Sequence, residues 1–484
     1  MKKFLTILLL FTVTFGALAQ QRPKLVVGIV VDQMRWDYLY RYADKWGNEG
    51  LNRLKREGFN YENTHFNYVP TVTAAGHCSI YAGSTPAITG IAGNSFYING
   101  HKVYCCEDTT VRSVGSKSEA GMMSPRNSQV TSMCDQLRLA TDFESKTIGI
   151  ALKDRAAILP AGHSANAAYW YDKDEKQFIT STYYMKDLPE WVKQFNKAHQ
   201  AAKPKDLHYS PEGLKVTTQM AIAALEGERL GLGKATDFLA VSYSSTDYVG
   251  HKYGTRGKNV DEIYLALDKE ISLLLNRLDQ HVGKGNYLLF LTADHAAAHN
   301  AKFLNDNRIP AGWIGSSEMQ DVIDDYLQEK FGKEDLVIDV LENRVYLNHE
   351  AIRSHNLSLR KVKAAVCEAL MKDHRVYQAV PFDKVESAPI APQIKQRIIM
   401  GYHPKRSGDI QIIMLPGYNG APYDMGTTHV AWNPYDTHVP FILYGWNIKH
   451  GSSNQYVSIS DIAATICALL KIQMPTGCVG QPVL

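Results

Sequence analysis

Residues 25–35 read LVVGIVVDQMR, an unbroken apolar and β-branched run that stops at Asp32. A run of that length with no polar alternation suits a strand covered on both faces, and such strands belong to parallel sheets with helices above and below. The same form recurs further along the chain. FLAVSYSSTDYVGH (238–251) leads to Asp247 with His251 four residues on, and YLLFLTADH (287–295) ends in Asp294–His295. The strands expected are Lys24–Val31, Thr147–Leu152, Asp237–Tyr243, Tyr287–Leu291, Ile410–Leu415 and Pro440–Tyr444. Between them, Pro211–Leu230 and Val260–Val282 carry apolar residues at spacings of three and four, among them Ile263, Leu267, Ile271, Leu274 and Leu278, as helices packed on a sheet do. The expected fold is α/β, with a largely parallel central sheet flanked by helices.

Two stretches depart from this pattern. Gly100–Asn127 is polar and follows no clear period, and the chain from about 303 to 406 has helical pieces of its own (Ser317–Phe331, Ser358–Asp373) and a strand-like ENRVYLN at 342–348. The second stretch is read as a cap insertion over the carboxyl edge of the sheet. No Gly/Ser or Pro linker isolates it, so residues 20–484 are expected to form one elaborated domain.

Composition removes several classes of function. With 484 residues, 45% apolar and 21% charged, the chain is neither disordered nor fibrous. Its formal charge of +3 falls to +1 without Lys2 and Lys3, which argues against a nucleic-acid partner held by bulk charge. The start, MKKFLTILLLFTVTFGALAQQ, has two lysines, an apolar stretch and small residues at Ala17 and Ala19. That is a signal peptide cut after about Ala19, implying a periplasmic or secreted protein with no stable membrane anchor. Seven cysteines leave at least one unpaired in a monomer, the oligomeric state expected here, and none has the spacing of a cysteine-built zinc site.

What could carry chemistry lies at the ends of the apolar runs. In open α/β sheets ligands bind beyond the carboxyl ends of the strands, so Asp32, Asp247, His251, Asp294 and His295 could converge there. DMGTTHVAWNPYDTHVPFILYG (424–445) adds His429 and His438 before the last strand. Each has an ordinary explanation taken singly: an Asp after a strand caps a helix, and a lone His makes a hydrogen bond. Together they form two sets of carboxylate and imidazole donors of the kind that suits zinc with open positions. VPTVTAAGHCSIYAGSTP (69–86) places Thr73 at the start of an expected helix, as a cap or as a hydroxyl beside an anion site. In IALKDRAAILPAGH (150–163), an extended segment would aim Lys153 and Arg155 to one face, either into solvent or as a clamp for phosphoryl oxygens.

These motifs, with TGIAGNSFY (89–97), TADHAAAH (292–299), GTTH (426–429) and SISDIAATICALLKI (458–472), resemble the alkaline phosphatase superfamily. Within it they are most similar to the type I phosphodiesterase/nucleotide pyrophosphatase branch and its PafA-type alkaline phosphatases. The resemblance implies two Zn²⁺ per chain, one held by Asp32, Asp294 and His295 and the other by Asp247, His251 and His429. Thr73 would be the nucleophile, bound to or bridging the first metal. Asn94, Lys153 and Arg155 would bind phosphoryl oxygens. Where the family usually has Gly after the metal-binding His, this chain has Val430, which leaves His438 as a second candidate ligand.

The activity so implied is hydrolysis of small phosphate monoesters through a phosphothreonine intermediate. Two zincs, three carboxylates and a Thr73 alkoxide cancel in formal charge, so Lys153 and Arg155 favour the doubly charged monoester over a diester. A nucleotide pyrophosphatase or phosphodiesterase with the same bimetal site is the alternative. A phosphate-binding protein without catalysis is a further one.

Overall fold

The computed structural model describes residues 22–200 and 206–483. The signal-peptide assignment falls outside them. An eleven-stranded sheet forms the centre of the molecule. Its middle is parallel, in the order Tyr287–Thr292, Leu25–Val31, Asp237–Tyr243, Thr147–Ala151 and Ala167–Asp172. The first three of these strands are buried at every position, which is why their sequences show no alternation. Both flanks turn antiparallel: Phe441–Gly445 pairs with Tyr287–Thr292 on one side, and Gln177–Ser181 with Ala167–Asp172 on the other. Helices Pro211–Gly227 and Lys258–Leu278 realise the two helical patterns and bury Leu214, Met220, Ile263, Leu267, Ile271 and Leu274 against the sheet.

A second, four-stranded antiparallel sheet lies apart, in the order Val337–Leu341, Arg344–Leu347, Ile410–Met414, Val376–Pro381. Helices Ser316–Phe331 and Leu359–Met371 cover it around a core that includes Ile323, Leu327, Val345, Val362, Val366 and Ile410. Ile410–Met414 is thus a strand, as its sequence indicates, but it belongs to this smaller sheet. Its five buried residues suit either environment, so the residues alone do not choose between them. The separate core accordingly runs past residue 406 to Met414. All seven cysteines are free thiols, five of them buried.

The parallel strands determine where polar side chains can meet. Four neighbours in the sheet (Tyr287–Thr292, Leu25–Val31, Asp237–Tyr243, Thr147–Ala151) finish at one edge, so residues just beyond them share one basin. The antiparallel strand Phe441–Gly445 starts at that edge, with Phe441 opposite Thr292, so the loop before it reaches the same place.

Candidate metal centre

The chain emerges from Leu25–Val31 directly into Asp32 and from Tyr287–Thr292 into Asp294–His295, and all three side chains are fully buried. One ligand atom from each lies within 4.8 Å of the others. A second trio, Asp247, His251 and His429, meets the same criterion. Asp247 and His251 share one face of the helix Ser245–Tyr253 at a spacing of four, and His429 comes from the loop before Phe441.

The histidine rings are held so that their free nitrogens face these centres. His251 Nδ1 donates to Thr427 O (2.9 Å), His429 Nδ1 to Thr71 O (2.6 Å) and His295 Nδ1 to Ala296 O (3.0 Å). A carbonyl only accepts, so Nδ1 carries a proton in each case, and in the neutral ring Nε2 keeps its lone pair. His251 Nε2 lies 3.1 Å from Asp247 Oδ1, and His295 Nε2 lies 3.5 Å from Asp32 Oδ1. In the first trio, Asp32 Oδ1, Asp294 Oδ2 and His295 Nε2 are buried and make no hydrogen bond. Buried polar atoms are rarely left so, and three converging ones fit a cation better than any protein donor. The donor set, carboxylate and imidazole without thiolate, suits zinc.

Electrostatics point the same way. Burial, then the neighbouring Asp247 and Asp294, push the Asp32 carboxyl well above the usual range. Burial also opposes charge on Asp247 and Asp294, but His251 with Lys153, and His295 with His77, hold these two below it. Burial lowers His295 and His429, which favours the neutral rings a metal needs, whereas at His251 the cost of burial is outweighed by the Asp247 carboxylate, which raises it.

Lys153 lies between the two trios. Its ammonium is 2.6 Å from Asp32 Oδ2 and 2.6 Å from Asp247 Oδ2, and its charge is retained because those carboxylates outweigh the cost of burial. The extended segment expected around it is not what forms. Lys153 is the last extended residue, and Asp154 opens the helix Asp154–Ala161, as chain leaving a parallel strand does in a βα unit. Arg155 therefore stands in the first helical turn, and its Nη1 donates to the Tyr104 hydroxyl (3.0 Å), while Nε makes no hydrogen bond. Both cations nevertheless line one pocket, together with Tyr104 and Tyr248.

Thr73 opens the helix Thr73–Ala82, with Val72 before it as the capping residue, and is 2% exposed. Its helix is pressed against the strand-end trio. A Cβ on Gly76 would stand 2.1 Å from Asp294 O, so only glycine permits the approach. His77 Nδ1 bonds to Thr73 O (2.9 Å) and lies 3.3 Å from Asp294 Oδ2. Asn94 Oδ1 accepts the Ala74 N–H (3.0 Å), which fixes the orientation of the amide and leaves its NH₂ as the donor. His438 does not join either trio: it stacks between Trp36 and His65 and bonds to Glu62 O.

Three residues that no sequence pattern singles out also reach the centre. Gln33, at φ +66°, donates its backbone N–H to Asp294 Oδ1 (3.1 Å) and its side-chain amide to Asp247 Oδ1 (2.6 Å), joining the trios. His77 ties the Thr73 helix to Asp294, and the Tyr248 ring lies 5.1 Å from the Lys153 ammonium. Their only signal is position, next to a strand-end Asp or one turn after Thr73.

Fold and site together define an α/β protein with paired candidate metal-binding groups at the carboxyl edge of a parallel sheet. The family model described as Type I phosphodiesterase / nucleotide pyrophosphatase matches residues 26–438, and the chain belongs to that family. It is 43% identical to alkaline phosphatase PafA of Elizabethkingia meningoseptica, over 96% of this chain and 94% of that protein. It is also 43% identical to a protein of Myroides odoratus named calcium-transporting ATPase, over 97% of this chain and 96% of the relative. A crystal structure of wild-type alkaline phosphatase PafA superposes with a TM-score of 0.93, at 43% identity, covering 96% of this chain and 99% of the other. Among the described residues no helix is long and apolar enough to cross a membrane.

Proposed function

We propose that this chain is an exported, zinc-dependent alkaline phosphatase that hydrolyses small phosphate monoesters through a phosphothreonine at Thr73. The observation that carries the reading is the pairing of two carboxylate–imidazole trios, each imidazole fixed through Nδ1, around Lys153 and beside the helix that Thr73 opens. The likeness to an alkaline phosphatase over nearly the whole of both chains supports the same reading.

Zinc held by Asp32, Asp294 and His295, and by Asp247, His251 and His429, would supply Lewis-acid stabilisation of charge on the attacking and leaving oxygens. The rest is the work of side chains. Thr73 attacks phosphorus and the alcohol departs, and water then releases phosphate and restores the hydroxyl. Asn94 offers its NH₂ to a phosphoryl oxygen because its carbonyl is already committed to Ala74. Lys153 has three donors, of which Asp32 and Asp247 take two, leaving one for the substrate. Arg155 Nε is a further uncommitted donor. These cations favour the ester with the greater negative charge, which is the monoester.

The test is metal analysis of purified protein, together with rates on an aryl phosphate and its methyl diester. About two zincs per chain and preference for the monoester are expected. Replacing Thr73→Ala should lower turnover by about three powers of ten or more. Lys153→Ala with Arg155→Ala should cost the monoester more than the diester. A wild type that prefers the diester, or a double variant that loses both activities equally, overturns the charge argument.

A further inference from the structure

The site has one contact with the smaller sheet that neither family motifs nor strand ends announce. The hairpin between Val337–Leu341 and Arg344–Leu347 drives its tip against the loop that carries Asn94. Glu342 Oε1 accepts the backbone N–H of Asn94 at 3.0 Å. The approach is close enough that a Cβ on Gly93 would stand 2.1 Å from Glu342 Oε2. Two residues on, Arg344 is 1% exposed and donates to Ala92 O (2.8 Å), Val69 O (2.9 Å) and Gly401 O (2.8 Å). The tip therefore grips the segment leading to Thr73, through Val69, and the segment leading to Asn94, through Ala92 and Asn94 itself.

We infer that Glu342 is a positioning residue for phosphate recognition, setting the place of Asn94 relative to Thr73 from the smaller sheet. The inference rests on the role of Asn94 proposed above. Asn94 is fixed at three points: its side-chain carbonyl on Ala74, its backbone N–H on Glu342, and its backbone carbonyl, which accepts the Cys105 N–H at 3.0 Å. The first orients the amide, and the second, with the Cys105 bond from the other side of the residue, holds the backbone where that amide meets a phosphoryl oxygen. Arg344, Arg155 and Lys102 face the carboxylate and favour its charge, whereas burial raises its pKa to about 7. Whether the acceptor or the charge matters is therefore a question that Gln can answer.

The experiment is a double-mutant cycle on the full, zinc-loaded chain, measuring kcat and KM for an aryl phosphate together with zinc content and thermal stability. Glu342→Ala should lower kcat/KM about tenfold or more, the loss of one partly buried hydrogen bond at a recognition site. Glu342→Gln, which keeps a carbonyl acceptor, should stay within about threefold of wild type, a difference under the roughly 1.4 kcal/mol that makes a factor of ten. In an Asn94→Ala background, Glu342→Ala should cost less than about twofold, because coupled residues do not add. Equal losses in both backgrounds, or no loss in the native one, overturn the inference. If Glu342→Ala does not fold, Gly93→Ala takes its place in the cycle, since its methyl displaces the carboxylate. A wild type that hydrolyses no phosphate ester defeats the functional reading alone. The cycle is then read as affinity for inorganic phosphate, where Glu342→Ala must weaken binding only when Asn94 is present.

Discussion

One half of the site is made by strands and the other by loops. Asp32, Asp294 and His295 come within three residues of their strand ends, in the middle of a parallel sheet, and none is exposed. His251, His429 and Asn94 stand on a short helix and on loops, with the His251 side chain 39% exposed and Asn94 held from a separate sheet. The strand half is anchored because each of its residues follows, within three positions, a strand that is paired on both sides. The loop half is held by single hydrogen bonds to backbone carbonyls, Thr427 O and Thr71 O, so its geometry is easier to perturb.

The sharpest way to break this contrast is to remove one ligand from each half. Asp294→Asn keeps shape but leaves an amide where a charge is needed, and should lower kcat/KM by about a thousandfold or more, as expected when several kcal/mol of charge stabilisation are lost. His251→Asn on the exposed side should cost less than Asp294→Asn, with any metal held by its trio released at lower chelator concentration than the other. Zinc content measured along a chelator titration checks both. Simultaneous release of the two metals would show that the halves are one unit, coupled through Gln33 and Lys153.

A second comparison replaces a carboxylate by an amide on the loop side. Burial pushes the Glu342 carboxyl up to about 7, against an ordinary value near 4.3 in the unfolded chain. Folded protein therefore keeps a proton that unfolded chain gives up. The stability contributed by this group is complete below about pH 4.3 and is lost as pH rises towards about 7. Glu342→Gln does not titrate, so it should gain on wild type between about pH 5 and pH 8 by roughly 2–3 kcal/mol at most, as denaturant unfolding at each pH would record. A constant difference across that range would mean that the carboxyl titrates normally.

How much of this was legible in the sequence divides along the same line. Asp32, Asp247 and Asp294 could be found because each stands at or just beyond the end of an apolar run, and parallel strands bring such ends together. His429 and His438 precede the same strand, and spacing alone could not choose between them. The pairing of His438 with His65 decides it, because that places His438 within the sheet. Glu342 left no signal at all, since the contact spans 248 residues and depends on how the smaller sheet docks. The helical turn that carries Arg155 was missed because an extended segment was read as continuing where a helix begins.

The smallest effect concerns Val430, which follows His429. Its φ is +111°, a conformation that suits glycine and strains a β-branched residue. Its N–H donates to Thr71 Oγ1 (3.1 Å) while His429 Nδ1 bonds to Thr71 O, so the strain is held in the contact that aims the ligand. Relieving it is worth about 1–3 kcal/mol, set against about 0.5–1 kcal/mol for the added freedom of glycine in the unfolded chain and a partial loss of packing. Val430→Gly should therefore leave stability within about 1 kcal/mol of wild type, because these terms nearly cancel. The same substitution at Val27, fully buried in a central strand, has only losses to add and should cost about 3 kcal/mol or more. Denaturant unfolding of the two variants side by side decides the matter, and equal costs would mean that Val430 packs too well for its backbone strain to count.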